Sequence, residues 1–354
     1  MPFSLPIAID AMGGDKAPEA IIQGARRVLK EFPSARFIFF GREPVIAPLI
    51  ERHRPLAKAS RVVHAETVIA MDEKPSVALR QGRESSMRAA INAVAEGKAC
   101  AMVSAGNTGA LMAMAKIVLR TLPGIHRPAI TATVPSRHRP VVLLDMGANL
   151  ECTAEYLVQF AVMGDAYARA VLGMAAPRIG LLNVGSEEMK GHDEVKEAHQ
   201  MLRSGKYPIE YHGFVEGNDI LEGTTDVVVT DGFTGNIALK TAEGASRLIY
   251  GALKSAFERS TMAKFGYLLA RPALRLALKK FDPRKLNGAI LLGLNGIVVK
   301  SHGGADGKSF ANAIKVAISM VDNHVNEKIL AELSRVKADN SSVVVPLTAD
   351  IADI

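Results

Sequence analysis

The sequence contains no tryptophan and only two cysteines, Cys100 and Cys152, in 354 residues. Two thiols without a Cys-x-x-Cys spacing exclude a disulfide framework and a zinc knuckle, and they suit a reducing compartment such as the cytosol. No Gly-x-Gly occurs, so the dinucleotide fingerprint is missing. No His-x-x-x-His stands among the nine histidines, which leaves no obvious zinc site, and the Gly-x-Ser-x-Gly nucleophile elbow is absent as well. Gly303-Gly-Ala-Asp-Gly-Lys-Ser309 falls short of a phosphate loop, because His302 occupies the position of the first required glycine. Nucleotide hydrolysis is rejected on that ground. The N-terminal segment meets Asp10 and Asp15 early and has no basic stretch before a long apolar core, so it does not read as a secretory leader. Long hydrophobic runs are missing too. The longest uncharged stretch, 99–115, contains Ser104, Asn107 and Thr108 and is shorter than the ~20 apolar residues of a spanning helix.

What remains is the composition of a globular protein, with 48% hydrophobic and 22% charged residues. Lysine and arginine exceed aspartate and glutamate by 7, and the pI is near 9.3. That excess favours acidic partners without choosing among nucleic acid, anionic lipid and acidic protein. Apolar runs at 7–11, 37–41, 61–64, 100–104, 129–135, 141–145, 179–184, 209–214 and 226–230 predict strands. Helical patterns at 18–31, 76–96, 107–119, 153–172, 187–203, 235–259 and 309–333 alternate with them. Such alternation predicts an α/β fold, three layers around a mostly parallel sheet. Residues 1–335 are expected to form one large domain, with a weakly ordered tail over 336–354.

Small polar residues gather where the strands end. Asp10-Ala-Met-Gly-Gly-Asp15, Ser104-Ala-Gly-Asn-Thr-Gly-Ala110, Asp145-Met-Gly-Ala-Asn149, Asn183-Val-Gly-Ser-Glu-Glu-Met-Lys-Gly191 and Thr230-Asp-Gly-Phe-Thr-Gly-Asn236 each follow a predicted strand and open a helix. In open parallel sheets ligands bind beyond the carboxyl ends of the strands, and free N–H groups at helix starts attract anions. Glycine and asparagine are also ordinary turn and cap residues. Five such loops, expected on one edge, favour a site for phosphate or another anion.

Taken together, these loops resemble those of the phosphate acyltransferases of bacterial phospholipid synthesis, the PlsX type, over residues from about 7 to 330. The resemblance implies a fold similar to the isocitrate and isopropylmalate dehydrogenases and to phosphotransacetylase, without a nicotinamide cofactor. It implies transfer of a long-chain fatty acyl group from acyl carrier protein to inorganic phosphate. The acyl phosphate product would pass to a glycerol-3-phosphate acyltransferase at the membrane. It also implies a homodimer peripheral to the membrane, here at the inner face of the plasma membrane. By the same resemblance Lys190 and Asn236 form the catalytic pair.

Phosphate is itself the nucleophile in this chemistry, so neither a metal nor an enzyme nucleophile is required. The chain must hold phosphate near the thioester and stabilise charge on the carbonyl oxygen. Lys190 is the expected cation, although an exposed lysine is commonplace. Asn236 is the expected amide donor, although it could equally cap a helix. Asn107, Thr108 and Gly109 are the first choice for phosphate contacts. Ser104, Asn149, Asp231 and Gly235 are expected to shape the crevice, and His302 is a minor candidate. Cys152 lies near the crevice and could carry an acyl group, but no histidine stands close to it in sequence.

The segment 248–285 reads as a basic amphipathic helical hairpin. Lys264, Arg271, Arg275 and Lys279 fall on one stripe and Phe265, Leu269, Pro272 and Leu276 on the next. Pro272 is expected to break or kink the helix or to start a second one, with the tip between 261 and 271. Met262, Phe265, Tyr267, Leu268 and Leu269 are expected near the tip, suited to an anionic membrane surface, and the helix bodies to dimerisation. Acyl carrier protein, being acidic, would suit the same cations. The alternatives are a short-chain phosphotransacylase using acyl-coenzyme A and a non-catalytic phosphate-binding scaffold at the membrane surface. Nucleic-acid binding ranks last, because few aromatics interleave with the basic residues.

Overall fold

The computed structural model describes residues 5–280 and 287–341, with side chains described through 274 and over 287–334. Its strands are β1 (Ile7–Asp10), β2 (Phe37–Gly41), β3 (Ser60–His64), β4 (Ala101–Ser104), β5 (Ala129–Val134), β6 (Val141–Leu144), β7 (Arg178–Leu182), β8 (Glu210–Val215), β9 (Val227–Val229), β10 (Ala289–Leu292) and β11 (Ile297–Lys300). The helices are α1 (Glu19–Glu31), α2 (Glu43–Glu51), α3 (Arg54–Ala59), α4 (Pro75–Gln81), α5 (Ser86–Ala95), α6 (Thr108–Leu119) and α7 (Ala154–Leu172). After them come α8 (Asp193–Arg203), α9 (Gly217–Glu222), α10 (Gly232–Glu258), α11 (Thr261–Lys280), α12 (Gly307–Asp322) and α13 (Val325–Ser341).

All eleven strands join one sheet in the order β3-β2-β1-β4-β11-β10-β5-β6-β9-β7-β8. Successive strand residues face opposite sides, and both sides are covered. Ile7 and Ile9 pack with Ile21 of α1, Phe160 of α7 and Phe310 of α12. Ala8 faces the other way, into a core with Met87 of α5 and Leu111 of α6. The four residues of β6 divide in the same manner, Val142 and Leu144 to the first core and Val141 and Leu143 to the second. Burial on both faces explains why these strands read as unbroken apolar runs.

The nine expected strands are present, but the sheet reverses direction inside. β1, β2, β3, β4 and β11 are mutually parallel, and β6, β7, β8 and β9 are mutually parallel. Between them the pairs β11/β10, β10/β5 and β5/β6 are all antiparallel, so the two halves run in opposite directions. The five glycine-rich loops therefore do not share one strand edge. They form two sets, after β1 and β4 in one half and after β6, β7 and β9 in the other. β11 supplies the Ser301–Gly304 loop to the first set.

Several helix boundaries also differ. The 76–96 pattern divides at Gly82 into α4 and α5, because the Ser85 hydroxyl accepts the Arg88 N–H and caps a new start. The 309–333 pattern divides at Asn323–His324, where His324 takes φ 50°. Helix α10 begins at Gly232 rather than Gly235, with Asp231 as its cap. The chain turns at Arg259–Ser260, before the expected tip, and Pro272 lies inside α11. Its ring removes a hydrogen bond to the carbonyl of Leu268, a group on an exposed helix that water can satisfy. The first part of the expected tail is helical, through Ser341, and 342–354 lies outside the described residues, as does 281–285 of the expected hairpin.

Candidate active site

β6, β9 and β7 are neighbours in the sheet, so the loops that follow them emerge side by side. Asp145, fully buried at the end of β6, organises the first of these loops. Its carboxylate accepts N–H bonds from Ile130 at 2.8 Å, Ala148 at 3.1 Å and Asn149 at 2.7 Å, and the Asn149 side-chain amide at 2.9 Å. Burial raises its pKa, and these donors offset part of the rise. The Asn149 amide also donates to the Pro128 carbonyl at 2.8 Å. Asn149 thus shapes the turn with its own side chain.

Helix α10 docks against this turn. Gly232 N–H donates to the Asn149 carbonyl at 2.7 Å. Gly235 lies so close that a Cβ would stand 1.9 Å from the Asp145 carbonyl oxygen, which leaves room for no other residue. Asp231 caps the helix by accepting the Thr234 N–H at 2.8 Å and the Thr234 hydroxyl at 2.7 Å. Since Asp231 provides the cap, the Asn236 side chain is not needed for it. Among the described residues the Asn236 amide has no hydrogen-bond partner, and it lies half-buried over the Gly147 turn.

Lys190 occupies the loop after β7. Its exposed side chain runs across Gly185, where a Cβ would meet the lysine Cδ at 2.6 Å. Its ammonium pairs with Glu187 at 2.7 Å, and that hydrogen bond and charge raise the lysine pKa further. The Asn183 amide holds the Lys190 carbonyl at 2.9 Å and so fixes the loop.

The other candidates stand in the first set of loops, on β1, β4 and β11. Ser104 is fully buried, donates to Asp10 at 2.7 Å and accepts the Gly106 N–H. The Asn107 amide donates to the carbonyls of Ala70, Met71 and Glu73 at 2.8–3.2 Å, while its oxygen caps α6 through the Ala110 N–H. Both side chains are engaged inside the protein. Thr108 is exposed and Gly109 half-buried at the start of α6. His302 is exposed and its Nδ1 accepts the Gly304 N–H. At the start of α12 the Asp306 carboxylate covers the Ser309 N–H at 2.8 Å, the place a phosphate loop would offer to its ligand.

Two titratable side chains that the sequence pattern does not single out are buried in this set. Asp10 accepts the hydroxyls of Ser86 and Ser104, each at 2.7 Å, and burial raises its pKa. Lys300, only 8% exposed, ends β11 and donates to the Ser301 carbonyl and toward that of Ala105. Burial lowers its pKa to about 8, against the pull of Asp10 and Asp15. A lysine closing the run Ile-Val-Val-Lys300 was the available signal, unreadable until β11 is recognised. Cys152 is held as a neutral thiol, pushed up to about 12 by burial and by Asp145 and Asp231.

Met262, Phe265, Tyr267, Leu268 and Leu269 are all exposed on α11, with Leu269 at 69%. The rings of Phe257 and Tyr267 approach to 5.3 Å and join α11 to α10. The side chains of Arg275, Leu276 and Lys279 lie outside those described. Among the described residues no helix is long and apolar enough to cross a membrane.

Comparison with known proteins adds the family. Residues 5–328 match the family described as "Fatty acid synthesis protein". A phosphate acyltransferase of Paramagnetospirillum magneticum is 53% identical over 337 residues, 95% of this chain and 96% of that protein. One of Rhodospirillum centenum is 55% identical over 332 residues, 94% of each. Among solved structures, a phosphotransacetylase of Streptococcus pyogenes aligns with TM-score 0.60 at 18% identity over 90% of this chain and 94% of that one. The EutD phosphotransacetylase of Staphylococcus aureus gives 0.55 at 16%, over 92% and 94%, a likeness of fold. With half its residues shared along nearly its whole length, the chain belongs to the phosphate acyltransferase family, transferases of fatty acid synthesis.

Proposed function

We propose that this chain transfers a long-chain fatty acyl group from acyl carrier protein to inorganic phosphate, at the carboxyl edge of β6, β9 and β7. The observation that carries the reading is the presence of two suitable groups on adjacent loops: an exposed Lys190 ammonium, paired with Glu187, and an Asn236 amide with no hydrogen-bond partner among the described residues. A phosphate oxygen attacks the thioester carbonyl. Lys190 holds the phosphate, and Asn236 donates to the carbonyl oxygen as it gains charge. The carbon–sulfur bond then breaks, and the thiolate leaves and takes a proton from water. The products are acyl phosphate and the free carrier thiol. A thiol that ionises near 12 supports direct attack over an acyl-Cys152 intermediate.

The exposed apolar residues of α10 and α11 support the remaining parts of the reading. Leu248, Ile249 and Leu253 on α10 suit a second copy of the chain, and Met262, Phe265, Leu268 and Leu269 near the turn suit an anionic membrane surface. The test is incubation with palmitoyl-carrier protein and labelled phosphate, with acetyl-coenzyme A in parallel. Acyl phosphate from the carrier-protein donor is expected. Turnover of acetyl-coenzyme A alone, or phosphate binding with neither product, overturns the proposal.

A further inference from the structure

A cavity of about 680 Å³ opens beside the Asn149 turn. Its walls include Arg127, just before β5, Asn149, Cys152 and Tyr156 around the start of α7, and Glu194 on the first turn of α8. The cavity therefore lies between the turn that supports Asn236 and the helix that follows the Lys190 loop. It is an open groove rather than an enclosed cavity, and it has room for far more than a phosphate ion.

The lining is chemically mixed. Arg127 places its guanidinium carbon 5.5 Å from the centre of the Tyr156 ring. Among the described residues it has no ion-pair partner. Tyr156, Leu150 and the neutral Cys152 thiol give an apolar wall. Glu151 and Glu194 supply carboxylate acceptors, and Thr153 and Asn149 polar ones. One cation among two carboxylates suits a ligand with a single negative charge and several amide N–H groups.

We propose that this cavity receives the pantetheine arm of the acyl donor, with Arg127 binding the phosphate ester at the end of the arm. The inference rests on the acyl-transfer reading above, because that reaction needs a thioester delivered to Asn236. Pantetheine carries amide N–H groups for the carboxylates and a dimethyl group for the apolar wall. Its phosphate is a singly charged diester when linked to a carrier protein and the inner half of a diphosphate in coenzyme A. Both donors share these atoms.

The test begins with binding, without turnover. Wild-type protein is titrated with 4′-phosphopantetheine and with pantetheine, which lacks the phosphate. The phosphorylated compound is expected to bind about tenfold tighter, the effect of one charge-assisted contact. Arg127→Ala abolishes the difference, and Arg127→Lys restores part of it. Cys152→Phe, which narrows the groove at its apolar wall, weakens both compounds. Equal binding of the two compounds by wild type overturns the proposal, as does a difference that persists in Arg127→Ala. Arg127 is exposed, so its substitution does not threaten folding.

Kinetics separate the sources of the arm. In Arg127→Ala the KM for palmitoyl-carrier protein and the inhibition constant of coenzyme A are expected to rise together, while the KM for phosphate stays within about twofold. A loss confined to the carrier protein assigns Arg127 to the protein surface and overturns the proposal. If wild type forms no acyl phosphate yet binds phosphopantetheine through Arg127, the transfer reading falls and the cavity assignment stands.

Discussion

Replacing Asn236 with alanine separates chemistry from structure at this site. The side chain has no hydrogen-bond partner among the described residues, so its removal leaves no buried group unsatisfied. Asp231 keeps the helix cap, and alanine favours the helix by roughly half a kcal/mol over asparagine. In a chain of 354 residues that amounts to a melting-temperature change of less than about 1 °C. Turnover is expected to behave quite differently. Losing one preorganised donor to a developing oxyanion costs about 10²–10³ in kcat, or roughly 3–4 kcal/mol. The assay follows acyl phosphate as its hydroxamate at saturating palmitoyl-carrier protein and phosphate, with a thermal melt alongside. A kcat within threefold of wild type refutes the role of Asn236. So does a melting temperature that falls several degrees with the activity, since the side chain would then be structural.

Three further expectations follow from the same geometry. Glu187→Gln frees the Lys190 ammonium from its 2.7 Å partner and is expected to lower the KM for phosphate about two- to fivefold, as suits an exposed pair; an unchanged or higher KM counts against Lys190 as the phosphate cation. Burial depresses the pKa of Lys300 from 10.5 to about 8, so its charged form costs stability at and below pH 8, and stability should rise from pH 8 to 10.5 by at most roughly 3 kcal/mol. Denaturant midpoints across that range should show the rise in wild type and not in Lys300→Met; equal slopes refute it. Leu268→Glu with Leu269→Glu is expected to lower flotation with anionic vesicles more than tenfold, since burying one leucine is worth about 1.5–3 kcal/mol, and unchanged flotation removes these residues from the lipid contact.

The layers of the fold were legible in the sequence because doubly covered strands have no polar alternation, as Val141–Leu144 and Val227–Val229 illustrate. Strand direction was not legible. Apolar pattern reports which faces are covered and is silent on whether neighbours run parallel, so the reversal through β10 and β5 was hidden. β10 and β11 themselves were lost in a glycine-interrupted stretch, 289–300. At the site, the loops were legible but the duties within them were not. Asn107 is of a residue type that binds phosphate and also holds turns. Its side-chain amide bonds the carbonyls of Ala70, Met71 and Glu73, a placement that spacing along the sequence does not reveal. Asp145 and Lys300 escaped notice for the converse reason: a charge beside an apolar run looks like its solvated end, whereas here each is buried.

Helix α10 runs from the Asn149 turn to the exposed end of the helical hairpin. The Asp145 carboxylate fixes the 145–149 turn, the turn receives Gly232 and Gly235, and their close approach sets where Asn236 stands. The same helix continues for 27 residues, about 40 Å at 1.5 Å per residue, and ends at the turn before Met262 and Phe265. Near its start it carries the Asn236 amide, and its far end leads to the exposed apolar side chains. On the proposed reading, a membrane that holds the hairpin therefore also orients the reaction edge, through one continuous hydrogen-bonded rod. If the product is the proposed long-chain acyl phosphate, release near a lipid surface would suit its apolar chain, and a continuous helix would set that distance.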